Sequence, residues 1–434
     1  MNNMTWSRKA LTYFPAGSNG EFNLPSDLAT VVSHGEGCRL TTADGREMLD
    51  FSMGWGSVLV GHADARIVGP VAKRLLQGTN FATVTDASTE LAEQIIAISP
   101  ACDQVRFCAS GTEATMYCLR LARAAQGKRK VLRFEGAYHG AHDVGVTNLF
   151  PTERNDPPQP RPSSDGLTAH ENGGVLVAPF NDLEITTRII QENKQELAAV
   201  IVEPLQRCLP PATGFLEGLR QVTAECGVLL VFDEVVTGFR LALGGAQEYY
   251  GVVPDLVAYG KALGGGLPIG VFGGRADLME LASESRQGSD TYVWTASTLG
   301  GNPISCTAAL ATLNILRDPA SYEHLHTLGK YLRHGMRSVI DRLGVRAHVL
   351  GDGPLAQIAF TPSMPHDYWS SQHEDRQLAR DLMLQLFRSG IFLNPMGTKL
   401  YLSLSHTHAA CDELLNKLEE SLDQLTNTTA VAAS

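Results

Sequence analysis

A chain of 434 residues, 44% hydrophobic and 19% charged, has room for two or three domains around a large core. Its net charge of −11 argues against nucleic acid or an anionic membrane surface as the main partner, and no run approaches the roughly 18 apolar residues of a membrane span. The amino-terminal stretch MNNMTWSRKALTYFP lacks a signal peptide's apolar core, and the eight cysteines form no C-x-x-C pair. The expected setting is therefore cytoplasmic, with reduced thiols and no metal site.

In chain order, residues 1–65 mix turns with short strands. Cys38 to Phe51 carries Ala43-Asp44-Gly45 between two extended arms, which predicts a hairpin. Met53-Gly54-Trp55-Gly56-Ser57 then predicts a loop, whose glycine-flanked Trp55 either lines a cleft or fills a core. Apolar spacing predicts helices over residues 65–76 and 88–98. Gln104 to Ala109 reads as a buried strand running into Ser110-Gly111-Thr112-Glu113 and a long helix. A strand, a glycine turn and a hydroxyl at a helix amino terminus make an anion site, most often for phosphate. Ser110 and Glu113 also have capping-box spacing, and both readings can hold together.

Lys130 to Phe134 is another strand, ending in Glu135-Gly136-Ala137-Tyr138-His139-Gly140, where an aromatic and an imidazole sit between glycines. Residues 151–172 hold five prolines and little apolar content, which predicts a flexible flap within one domain rather than a linker. Glu196 to Glu203 is a buried strand with a carboxylate at its exit. After a helix over residues 216–226, the apolar run from Val228 to Phe232 stops at Asp233 and Glu234. A second run, Leu256 to Tyr259, ends in Gly260-Lys261 and three more glycines. Thr291 to Pro303 is a polar, glycine-rich loop before another helix. Beyond residue 315 the pattern becomes helix, extended segments near residues 345–360, helix, a short strand at residues 401–405 and a closing helix over residues 409–425. The domain expectation is 1–65 as part of a small domain, 66–315 as a large domain, 316–425 as the rest of the small α+β domain, and 426–434 as a disordered tail.

Short apolar runs bounded by turn signals predict buried strands of a mostly parallel α/β sheet flanked by helices, whose chemistry collects past the strands' carboxyl ends. One such end delivers Asp233 and another Lys261. A lysine kept partly deprotonated there can form a Schiff base, and a carboxylate can pair with a protonated ring nitrogen. The hydroxyl-bearing helix start can hold a phosphate, and an aromatic can cover a ring. Pyridoxal 5′-phosphate needs those four parts together.

The motifs SGTEATMYCLRLARAAQGKRKVLRFEGAYHG, IVEP, LLVFDEVVTGFR, YGKALGGGLPIGVFGG and TLGGNP resemble the class III pyridoxal-phosphate-dependent aminotransferases of fold type I. Within that family the chain is most similar to glutamate-1-semialdehyde 2,1-aminomutase-like members, over residues 10–425. The resemblance implies that Lys261 carries the cofactor and shuttles the proton, while Asp233 keeps the ring nitrogen protonated. It implies that Gly111 and Thr112 bind the phosphate and that Tyr138, followed by His139, stacks on the ring whose other face Val235 covers. Glu203 matches the family's Glu-Pro strand exit, and Trp55 matches an aromatic at the substrate end of the cleft. Thr298 matches a threonine that reaches the phosphate in the partner subunit, so a homodimer is implied.

The mutase pattern is broken at several positions. Its arginine-bearing NSPVR-like segment is NGEFN here, over residues 19–23. A glutamate before its last strand gives way to Met396-Gly397-Thr398-Lys399, an asparagine after Glu-Pro to Cys208, and a serine before the tryptophan to Gly54. The catalytic set survives and the substrate-facing set differs. The expected activity is therefore an aminotransferase acting between an amine or non-α amino acid and a keto or aldehyde acceptor. The alternative is a mutase or racemase on the same scaffold. For a substrate carboxylate, the candidate cations are Lys399 and Arg240.

Overall fold

A computed structural model describes residues 3–20, 23–154, 157, 159–167, 174–394 and 398–432. The chain divides into two compact units, one of residues 1–65, 318–365 and 370–434, the other of residues 66–317 and 366–369.

The first unit opens with strands β1 (Val32–Glu36), β2 (Arg39–Thr42) and β3 (Glu47–Asp50). β2 and β3 form the expected antiparallel hairpin, and β1 adds to its free edge. Met53–Gly56 closes into a single helical turn, with positive φ at Met53, Gly54 and Trp55, where a loop was expected.

The second unit is built on seven strands: β4 (Gln104–Cys108), β5 (Lys130–Phe134), β6 (Val175–Ala178), β7 (Leu197–Val202), β8 (Leu229–Asp233), β9 (Leu256–Tyr259) and β10 (Gly270–Gly274). Their spatial order is β4-β10-β9-β8-β7-β5-β6. Five of the strands are continuously apolar or nearly so because both sheet faces are covered; β7, LAAVIV, is buried at every residue. The exception to parallel order is β10, antiparallel to both β4 and β9. With β10 reversed between them, β4 and β9 run the same way. The ends of β4, β5, β7, β8 and β9 consequently open on one edge of the sheet. Gly270 sits where β10 passes the end of β4, and a Cβ there would stand 2.2 Å from Ser110 O. Only glycine permits that approach.

The helix Gly111–Gln126 lies on this sheet through Ala114, Tyr117, Cys118, Leu121 and Ala122, which join Val231, Ala258 and Phe272 in one apolar cluster. It stops at Gly127, whose φ of 60° makes the left-handed cap.

The later strands of the first unit are β11 (His348–Leu350), β12 (Leu355–Ala359), β13 (Ile391–Phe392) and β14 (Leu400–Tyr401). β13 pairs in parallel with β3, while β11, β12 and β14 form a separate small sheet. Helices Pro319–Leu343, Arg376–Arg388 and His408–Ala432 supply much of this unit's core. The closing helix passes the expected end at Leu425 and takes in most of the stretch predicted to be a disordered tail; residues 433–434 lie outside the described residues. Part of the predicted flap (residues 155–156, 158 and 168–172) lies outside them too.

Among the described residues no helix is long and apolar enough to cross a membrane, and no group of His, Cys, Asp or Glu could hold a metal ion.

Candidate active site

The five strand ends carry the residues that the motifs single out. At the end of β4, Ser110 caps the following helix by accepting from Glu113 N at 3.2 Å. Glu113 reaches back to Ala109 N at 2.9 Å, so the capping box closes one residue earlier than its S-x-x-E spacing predicts. Gly111 and Thr112 then form the first helical turn, whose backbone N–H groups lack intrahelical acceptors. Thr112 Oγ1 accepts from Ala141 N at 3.2 Å, linking this turn to the loop after β5.

Asp233 ends β8 and is 5% exposed. Its Oδ2 lies 2.7 Å from His139 Nδ1, and its Oδ1 accepts from Val235 N at 3.1 Å. A carboxylate has about four acceptor directions, so both oxygens retain capacity for a further N–H donor. Glu203, past the end of β7, accepts from Tyr138 N at 2.8 Å and from Arg207 N at 3.2 Å. It is thereby an anchor for the Tyr138 backbone.

Lys261 follows β9 through Gly260, whose backbone is fully extended at φ −178°. Lys261 itself takes φ +40°, a conformation that is costly for a residue bearing a side chain. A Cβ built on Gly260 would lie 3.5 Å from Val235 Cγ1 and 3.8 Å from Gly111 Cα. The lysine turn, the phosphate turn and the segment after Asp233 therefore meet at one point. Val235 is central to it, since a Cβ on Gly111 would stand 2.8 Å from Val235 Cγ1 and 2.9 Å from Cγ2. Gly111→Ala is expected to weaken cofactor affinity about tenfold by pushing these elements apart, with part of the loss recovered in the Gly111→Ala, Val235→Ala double variant. Titration of the apoenzyme with cofactor checks it.

Two buried charges support the site from behind, and neither was among the candidate site residues. Arg133 on β5 is fully buried; its Nη1 donates to Val144 O at 2.6 Å and its Nη2 to Ala137 O. Burial pulls its guanidinium down to about 9. It gathers the loop that carries Tyr138 and His139. Its only sequence signal is an arginine inside the apolar strand KVLRF.

Glu234 is also fully buried. It accepts from Ala246 N at 2.6 Å, Gln247 N at 3.2 Å, Gln247 Nε2 at 3.0 Å and Thr237 Oγ1 at 3.1 Å. Gln247 Nε2 also donates to Tyr259 OH at 2.7 Å, two residues before Lys261. Burial raises the Glu234 carboxyl to about 7 against the pull of those four donors. The folded protein thus binds this proton more tightly than the unfolded chain, and the contribution falls as pH rises from about 4.5 to about 7. The change is on the order of 3 kcal/mol. Glu234→Gln, which cannot ionise, is expected to show a flatter decline over that window when holoenzyme is denatured with urea at a series of pH values.

Of the proposed substrate contacts, Trp55 and Lys399 belong to the first unit. Lys399 is mostly buried, with Nζ 4.9 Å from the centroid of the Tyr401 ring. Arg240 belongs to the second unit, but it is fully buried and its Nε donates to Val236 O at 2.9 Å. Thr298 lies in the loop before Pro303, exposed, with its carbonyl accepting from Asn80 Nδ2 at 2.9 Å. The segment His366–Trp369 joins this unit although the chain on either side belongs to the other; Tyr368 OH donates to Pro151 O at 2.9 Å. Nothing in the local sequence marks that excursion.

A family model described as Aminotransferase class-III matches residues 23–422. The glutamate-1-semialdehyde 2,1-aminomutase of Methanosphaera stadtmanae is 36% identical over 428 residues, which are 96% of this chain and 97% of that protein. An omega-transaminase from Sphaerobacter thermophilus has the same fold, with TM-score 0.89 and 32% identity over 96% of each chain. A transaminase solved with PLP bound gives TM-score 0.87 and 27% identity, over 97% of this chain and 96% of the other. The residues present fit that cofactor: an acid with acceptor capacity at a strand end, a lysine on a neighbouring strand end, and a helix start at Gly111 and Thr112 whose first backbone N–H groups have no intrahelical acceptor.

Proposed function

Since the chain belongs to the class III aminotransferase family and pyridoxal 5′-phosphate is its cofactor, we propose that it is an intermolecular aminotransferase. It moves an amino group from an amine or non-α amino acid to a keto or aldehyde acceptor in two half-reactions. The observation that carries this reading is a retained catalytic set, with Asp233, Lys261 and the Gly111-Thr112 turn at neighbouring strand ends, in a chain whose sequence departs from the mutase pattern at Gly54 and Cys208. Cys208, where the mutase pattern has asparagine, is a fully buried thiol. Gly54, where that pattern has serine, sits at φ +58° with room for no Cβ beside Ser57 Oγ, 2.8 Å away. The full-length likeness to an omega-transaminase agrees with it.

When bound, the cofactor supplies a protonated ring that stabilises negative charge on the carbon beside the transferred nitrogen. Lys261 Nζ would hold the cofactor between turnovers and, with its amine free, would take the proton from the substrate carbon bonded to the transferred nitrogen and deliver it to the cofactor carbon on that nitrogen's other side. Asp233 keeps the ring nitrogen protonated, and His139 orients Asp233 through Nδ1. Thr112 and the N–H groups of its helical turn hold the phosphate against the helix dipole. Tyr138 and Val235 would cover the two faces of the ring and so orient it. A homodimer, with Thr298 completing the phosphate site of the partner subunit, fits the exposed position of that loop and of Trp294 and Leu299 beside it.

A second reading, an aminomutase, is favoured by the identity to the Methanosphaera protein. Incubating the holoenzyme with one donor amine separates the two. Transamination predicts stoichiometric conversion to the amine form of the cofactor, with release of a carbonyl product. Sustained turnover of a single substrate to its isomer, with no acceptor present, would establish the mutase instead.

A further inference from the structure

Side chains rarely tolerate the left-handed region of backbone space, and the residues that occupy it cluster at sites where their placement matters. Among the described residues, the cationic ones with positive φ are Lys261, at +40°, and Arg207, at +59°. Lys261 is the residue on which the proposed reaction turns. Arg207 lies in the turn after Pro204, and that turn is bonded to the aromatic platform at several points.

Glu203 accepts from Tyr138 N, Gln206 Nε2 donates to Glu135 O at 2.7 Å, and Arg207 Nε donates to Gly136 O at 3.2 Å. The Arg207 guanidinium carbon stands 5.6 Å from the centroid of the Tyr138 ring. Its side chain is 39% exposed. Arg133, which gathers the platform loop from behind, is fully buried and donates to backbone carbonyls. A guanidinium held by Nε and lying along a tyrosine is preorganised for a planar carboxylate, which it can meet with two parallel N–H groups.

We propose that Arg207 binds the carboxylate of the substrate, making the substrate class a carboxylated amine such as a β- or ω-amino acid. Its neighbour Glu203 accepts from the Tyr138 and Arg207 backbones, and its Oε1 forms an ion pair with Arg207 Nε at 4.0 Å. The proposal rests on the aminotransferase reading, and its test is built to fail separately from it.

Holoenzymes of the wild type, Arg207→Gln and Arg207→Lys are assayed with 3-aminobutanoate and with 2-aminobutane, two donors that differ in the carboxylate. The ratio of KM for 3-aminobutanoate to KM for 2-aminobutane is expected to rise about tenfold or more in Arg207→Gln, the loss of one charge-assisted contact, and to recover in part in Arg207→Lys. A ratio within about twofold of the wild type overturns the proposal. Where the wild type transfers nitrogen from neither donor, the aminotransferase reading fails, and butyrate decides the subsite. Its Kd, read from the cofactor absorbance, should weaken about tenfold in Arg207→Gln. An unchanged Kd, or no butyrate binding by the wild type, rejects the subsite.

Discussion

Lys261→Ala is expected to lower kcat by about four orders of magnitude, because it removes the proton carrier together with the nucleophile that holds the cofactor between turnovers. The position is set by the backbone. Gly260 is extended, Lys261 is left-handed, and the next three residues form a tight turn ending at Gly265, φ 57°. That geometry aims the chain after β9 at the point where Gly111 and Val235 meet, so a lysine elsewhere on the loop would not serve. Lys261→Arg should lose as much as Lys261→Ala. A guanidinium keeps the charge but does not give up its proton in this pH range. Borohydride treatment of the wild-type holoenzyme should fix the cofactor to the Lys261 peptide, whereas in Lys261→Ala the cofactor should dialyse away. Activity within tenfold of the wild type in either variant would remove Lys261 from the reaction.

What the sequence made legible was the content of each strand end. Buried strands of a covered sheet are short apolar runs, and the polar residue that stops a run stands at the rim. Asp233, Glu203 and Lys261 are all of this kind. Strand direction was less legible. β10 reads GVFGG, and nothing in those residues says that it runs against β4 and β9; the short connection from Lys261 to Gly270 decides it, since a parallel return needs a crossover. β13 is two residues long and exists only because Ile391 and Phe392 find Leu49 and Asp50 some 340 positions earlier. Arg240 shows the same limit for a side chain. Nothing in the sequence around an arginine seven residues past the end of a buried strand says that it is fully buried. Arg207 was overlooked for a similar reason, since the local sequence EPLQRC does not reveal that its fifth residue takes positive φ.

Asp233→Asn is expected to reduce kcat/KM about a thousandfold while leaving the fold in place, since the amide is nearly the same size and the site is already polar. The two acceptor contacts in the structure explain why the charge, rather than the shape, is at stake. Asp233 Oδ2 faces His139 Nδ1 at 2.7 Å and Oδ1 faces Val235 N at 3.1 Å. Val235 N calls for an acceptor, whereas an asparagine offers one acceptor and one NH₂ group in place of two carboxylate oxygens. The asparagine oxygen can still accept from Val235 N and its NH₂ can face His139 only if the imidazole hydrogen moves from Nδ1 to Nε2, and no charge remains to hold a proton on a ring nitrogen. Cofactor affinity should weaken alongside turnover, which a titration of the apoenzyme would follow. His139→Gln should cost far less, about tenfold, because the imidazole acts on the reaction only by orienting Asp233. If His139→Gln proved as damaging as Asp233→Asn, His139 would have to be assigned a direct part in the proton transfers. If Asp233→Asn kept wild-type kcat/KM, the ring nitrogen's proton would have to be held by another group.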